Sequence, residues 1–149
     1  VRQQPITIAE SDAQRLRGLL WAHGEARLRD QEHLQELKAE LERALVLDAA
    51  QLPPDVITLD AQVQVLDLTS GERKEYVLVV PTEANVSANR ISVLAPLGTA
   101  LLGFREGDEV EWEMPGGLRR LRIERVIQPG RLRAADENSA ETKSAASHH

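Results

Sequence analysis

The chain has 149 residues, a net charge of −6 and no cysteine. That length allows one modest core plus a helical appendage, and the missing cysteines exclude disulfides and thiolate chemistry. No segment is basic overall, which makes the chain a poor candidate for tight binding to a phosphate backbone, and with Trp21, Tyr76, Phe104 and Trp112 as the only aromatics an aromatic-walled ligand pocket is disfavoured.

From the N-terminus, Ile6-Thr7-Ile8 reads as a short strand or an extended lead-in. Ser11 followed by Gln14 fits a capping box and predicts a helix starting at Ser11. Ala13, Leu16, Leu20 and His23 share one stripe at helical spacing. Gly24 breaks the helix, and residues 24–29 form a short polar link. Asp30 is placed to cap a second helix, in which Leu34, Leu37, Leu41 and Ala44 recur at steps of three and four, a coiled-coil seam. Pro53-Pro54 ends it. Two apolar stripes with a short link predict an antiparallel hairpin. Its arms of ~14 and ~18 residues would span roughly 21 and 27 Å, either packed on the rest of the chain or projecting as a finger.

Strand patterns follow. Val56-Ile57-Thr58-Leu59 is short. Residues 62–69 alternate with a slip of phase, Val63 and Val65 on one face and Leu66 and Leu68 on the other, which predicts a β-bulge. Residues 69–72 form a turn, and residues 75–80 are apolar enough for a central strand. Residues 82–89 are loop-like and residues 91–94 extended. Glu109-Val110-Glu111-Trp112-Glu113-Met114 alternates strictly. With Gly116-Gly117 as the loop, Glu113 faces Arg120 and Glu111 faces Arg122, while Trp112 meets Leu121 and Val110 meets Ile123. Residues 129–149 read as a disordered tail, and His148-His149 as the stub of a purification tag.

Candidate chemistry is sparse. No phosphate loop, nucleophile elbow or paired-histidine zinc motif is present, so no catalytic residue, metal site, cofactor or small-molecule substrate is assigned. His23 and His33 read as surface residues near the hairpin tip. Arg120 and Arg122 read as a charge ladder with Glu111 and Glu113, a phosphate-binding face being a minor alternative, and Arg119 and Arg125 are less explained. Glu25, Asp30 and Glu32 crowd the tip, interleaved with Arg27 and Arg29, whose charge opposes capture of a divalent ion. Leu94, Ala95, Pro96 and Leu97 form an apolar loop. It reads equally as a rigid anchor for a partner or as a plug for the core, whereas Leu101 and Leu102 read as core. No apolar run is long enough to span a bilayer and no signal-peptide pattern opens the chain. The expectation is a soluble cytoplasmic protein with no membrane contact.

One run is dense in turn signals: Ile91-Ser92, then Pro96-Leu97-Gly98-Thr99-Ala100-Leu101-Leu102-Gly103, then Gly107-Asp108, then Pro115-Gly116-Gly117. It resembles the C-terminal domain of the bacterial Gre transcript-cleavage factors. With Ile6-Thr7-Ile8, the helical segment and Pro53-x-Asp55-Val56-Ile57-Thr58-Leu59, the chain over roughly residues 5–128 resembles the Rnk family, relatives of the Gre (GreA/GreB) factors. The resemblance implies an α+β fold. Residues 1–52 would be a short antiparallel helical hairpin, a small coiled coil. Residues 53–128 would be an FKBP-like domain, a twisted antiparallel sheet with one short helix.

It also implies a partner, bacterial RNA polymerase, with nucleic acid reached only through it. Residues 94–97 would dock near the secondary channel, in competition with Gre-type elongation factors. In those factors an acidic pair at the coiled-coil tip helps hold a catalytic metal. Here Glu25, Asp30 and Glu32 stand on a shorter hairpin beside arginines, so cleavage stimulation is not expected. Two alternatives are an FKBP-like peptidyl-prolyl isomerase, which needs an apolar proline pocket, and a homodimer through the leucine seam.

Overall fold

The computed structural model describes residues 5–114 and 116–129, with the side chains of residues 112–114 outside that description. The expected tail therefore lies outside the described residues from residue 130 on. Four α-helices, a two-stranded pair and a five-stranded sheet account for most of the described chain.

Strand β1 (Thr7–Ala9) runs straight into helix α1 (Glu10–His23). The helix therefore begins one residue before Ser11. Its N-cap is Ala9, with no side-chain cap, so the capping box is not formed. Glu10 and Asp12 in the first turn suit the positive end of the helix instead. Gly24, at φ 91°, ends α1 as expected. The link that follows is itself a short helix, α2 (Glu25–Arg29), because Leu28 is buried beneath it. Asp30 ends α2 and does not cap the next helix. Helix α3 (Glu32–Arg43) starts after Gln31. It has 12 residues, or about 18 Å, shorter than its periodicity predicts, because strand β2 (Leu45–Leu47) turns away to pair in parallel with β1.

The hairpin lies against the sheet body. Leu16, Leu20, Leu34, Leu37 and Leu41 join Ile57, Leu59, Leu102 and Ile123 in one buried cluster. The leucine seam is spent on this chain's own interior: Leu34, Leu37 and Leu41 are 1%, 2% and 3% exposed. Asp12 ties α1 to the body, its Oδ2 accepting from the Leu59 N–H at 3.1 Å. Burial pushes the Asp12 carboxyl above its usual range, against the opposing pull of the Leu59 N–H and Arg15.

The sheet comprises β3 (Gln62–Asp67), β4 (Arg73–Val79), β5 (Arg90–Ser92), β6 (Glu109–Met114) and β7 (Gly117–Ile127), in the order β5-β4-β3-β7-β6. It is mixed and not purely antiparallel. β5 runs parallel to β4, reached by a crossover through two short 3-10 turns at Pro81–Glu83 and Val86–Ala88. The expected strand at Val56-Ile57-Thr58-Leu59 stays outside the sheet. It forms a single bridge from Val56 to Arg105, with the Ile57 N–H donating to Phe104 O at 2.8 Å. The expected bulge exists, but the extra residue, Glu124, is on β7, opposite the Gln64–Val65 step.

The hairpin register also differs. Glu109 pairs with Arg122, Val110 with Leu121, Glu111 with Arg120 and Trp112 with Arg119. Met114 pairs with Gly117, so Gly117 belongs to the strand and not to the loop. A shift of two residues keeps every side chain on its face, so the charge ladder survives with changed partners. Arg120 reaches Glu109 at 2.9 Å and Glu111 at 3.3 Å, and Arg122 reaches Glu109 at 3.3 Å. Arg119 pairs with Asp67 at 3.2 Å. The expected contact of Trp112 with Leu121 involves a side chain outside the described residues.

Candidate protein-docking site

Residues 92–97 form a braced turn between β5 and helix α4 (Pro96–Leu101). Ser92 Oγ accepts from the Leu94 N–H at 3.0 Å, and Ser92 O accepts from the Ala95 N–H at 3.0 Å. Pro96 opens α4 at a position where its missing N–H is no loss. The Thr99 hydroxyl donates to Pro96 O at 3.0 Å. Gly98 lets α4 lie directly on the β5 backbone, since a Cβ there would sit 2.1 Å from Ser92 O.

Pro96 is exposed, and Leu94, Ala95 and Leu97 are half-buried. Leu94 and Leu97 pack from one side against the core. Leu94 and Leu97 thus hold the loop to the body, and Pro96 is left exposed. Leu101 and Leu102, one turn on, are core, at 1% and 0% exposed.

The histidines serve different contacts. His23 Nε2 lies 2.6 Å from Gln31 Oε1 at the hairpin tip. His33 Nε2 donates to the Leu94 carbonyl at 2.9 Å, fixing the apolar loop to α3. No sequence signal announces that contact, which joins residues 61 apart.

A groove of about 860 Å³ opens beside this loop. Helix α3 supplies one wall through Glu32, His33 and Glu36, and β6 and β7 supply the other through Glu109, Glu111 and Arg120. Leu37, Pro96, Ala100, Phe104, Val110 and Leu118 add apolar lining. Glu32 and Pro96 thus line the same groove, whereas Glu25 and Asp30 do not. All three tip acids are exposed. Among the described residues no three histidine or acidic side chains gather as a metal site would require. Of Trp21, Tyr76 and Phe104, only Phe104 lines the groove. Trp21 stands on the outer face of α1, 86% exposed.

A family model described as the transcription elongation factor GreA/GreB C-terminal domain matches residues 52–128, more than half of the chain. The chain belongs to the GreA/GreB family. A second model, the Rnk N-terminus, matches residues 4–47 of this GreA/GreB-family protein. Over 82 residues it is 43% identical to the "Regulator of nucleoside diphosphate kinase" of Escherichia coli K12, covering 55% of this chain and 60% of that protein. Over 100 residues it is 40% identical to the transcription elongation factor GreA of Syntrophus aciditrophicus, covering 66% of this chain and 62% of that protein. The chain thus spans about 60% of the length of these curated relatives. The solved structure of a GreA/GreB elongation factor from Nitrosomonas europaea superposes with a TM-score of 0.72 at 38% identity, covering 85% of this chain and 100% of that one. The fold is therefore a mixed helix-and-sheet fold similar to GreA/GreB. The family is one of transcription-related regulators, and among the described residues no helix is long and apolar enough to cross a membrane.

Proposed function

We propose that this GreA/GreB-family chain is a transcription regulator that binds bacterial RNA polymerase near the secondary channel and competes there with Gre-type elongation factors. Residues 53–128, in an FKBP-like arrangement, are the docking body, and residues 1–52 are a short coiled-coil hairpin that enters no further than the channel mouth. The chain is not an enzyme in this reading, and it contacts nucleic acid only through the polymerase.

The observation that carries the proposal is the presentation of Pro96. It is exposed at the start of α4, held by half-buried Leu94 and Leu97 and by the His33 bond. A rigid apolar residue loses little conformational freedom when a partner covers it, and the relatives named as transcription elongation factors support a partner in the transcription machinery. The absence of cleavage stimulation follows from length. α1 and α3 have 14 and 12 residues, about 21 and 18 Å, and they lie against the body. Glu25, Asp30 and Glu32 at the tip are interleaved with exposed Arg27 and Arg29.

The test is a transcript-cleavage assay on stalled elongation complexes, with the chain alone and with a Gre factor added. The proposal expects no cleavage from the chain alone and inhibition of the cleavage that the Gre factor stimulates. Cleavage by the chain alone would refute the short-hairpin argument.

A further inference from the structure

We propose that the groove between α3 and β6 receives an extended, basic segment of a partner protein, which adds to the free edge of β6 as a sixth strand. This does not rest on the polymerase reading.

β6 ends the sheet. Among the described residues it pairs with β7 alone, so toward them its other edge presents unpaired backbone donors and acceptors. Glu109, Val110 and Glu111 all line the groove. Consecutive strand residues point to opposite faces, so the groove meets β6 at its edge and not on one face.

Charge selects the occupant. Glu32 and Glu36 stand one turn apart on the α3 wall, and among the described residues neither is in an ion pair. Like charges at this spacing work slightly against the helix, and a bound cation relieves them. They are separated by about 6 Å along the helix axis. Alternate residues of a strand are about 6.6 Å apart, so arginines at alternate positions match both carboxylates. The residue between them turns to the other face of the strand, the side of Val110 and Leu121.

β6 already shows its complement. On its paired edge, Glu111, Val110 and Glu109 meet Arg120, Leu121 and Arg122, with both arginines ion-paired to Glu109. A second copy of β6 would bring Glu109 and Glu111 against carboxylates, which repel directly across a strand pair. The occupant is therefore an Arg-apolar-Arg segment of another protein.

The probe is a synthetic peptide Leu-Arg-Arg-Leu-Arg-Ile, the sequence of residues 118–123, titrated into the full chain without polymerase. Calorimetry is expected to give saturable one-to-one binding, with amide shifts and slowed hydrogen exchange along residues 109–113. Glu32→Gln with Glu36→Lys, both exposed, is expected to weaken binding about tenfold or more. Four results would overturn the proposal: no saturable binding, affinity unmoved by the α3 substitutions at fixed salt, a peptide bound as a helix, or dimerisation of the chain through β6.

Discussion

Gly98→Ala isolates the contact that places the loop of residues 94–97. A Cβ at this position would lie 2.1 Å from Ser92 O and 3.0 Å from both Ser92 C and Val93 Cα. Carbon–oxygen contacts settle at about 3.3 Å or more, so α4 must lift from β5 by roughly 1 Å. No side chain can swing aside, because the obstacle is backbone, and Ser92 O is already bonded to the Ala95 N–H. Alanine in place of glycine in a helix returns about 1 kcal/mol. Overpacking against a fixed wall costs about 3 kcal/mol, the upper part of its usual range. The net loss is about 2 kcal/mol, which lowers Tm by about 4–8 °C for a chain of this size. A thermal melt followed by circular dichroism reads this directly. Because α4 carries Pro96 at its start, polymerase affinity is expected to fall even at temperatures where the variant is fully folded. A melt equal to or above that of the wild type would refute the claim that α4 rests on the β5 backbone.

Gly18→Ala has the opposite sign. Gly18 lies inside α1, and a methyl group added there would meet nothing within 4 Å, so the variant is expected to gain about 0.5–1 kcal/mol in urea unfolding. Asp12→Asn tests the buried tie between α1 and the body. Burial raises this carboxyl above its ordinary value of 3.8, so the protonated form suits the fold. Its contribution is fully present below the unfolded value and is lost as pH rises through the folded one. Asparagine keeps an oxygen for the Leu59 N–H and never ionises. Its stability relative to wild type is expected to increase from about pH 4 to pH 7, and a decrease would contradict the burial argument.

The parts of this molecule that were legible in the sequence are those where side-chain period decides the answer. The stripe of Leu34, Leu37 and Leu41 faces the interior as its spacing requires, and Glu109, Glu111, Arg120 and Arg122 share a face because alternation fixes it. The pairing partner was not legible. Pro115-Gly116 and Gly116-Gly117 both carry turn chemistry, and a choice between them moves the register by two without changing which face is buried. β5 could not be read as parallel, because its direction is set by the crossover and not by its three residues. Leu28 was the available signal for α2, an apolar residue in an otherwise polar link. Ser11 yields to a start one residue earlier because β1 feeds directly into α1. At the site, the apolar loop was visible as composition. The exposure of Pro96 and the His33–Leu94 bond depend on how the hairpin lies on the body, which no local pattern encodes.

The most direct test of the central claim is binding to bacterial core RNA polymerase at physiological salt, with a Gre factor as competitor, for wild type and Pro96→Asp. Saturable binding that the Gre factor displaces, weakened about tenfold or more by the buried charge that Pro96→Asp introduces, is the predicted result. No binding, or binding indifferent both to the competitor and to Pro96→Asp, would contradict docking through this loop.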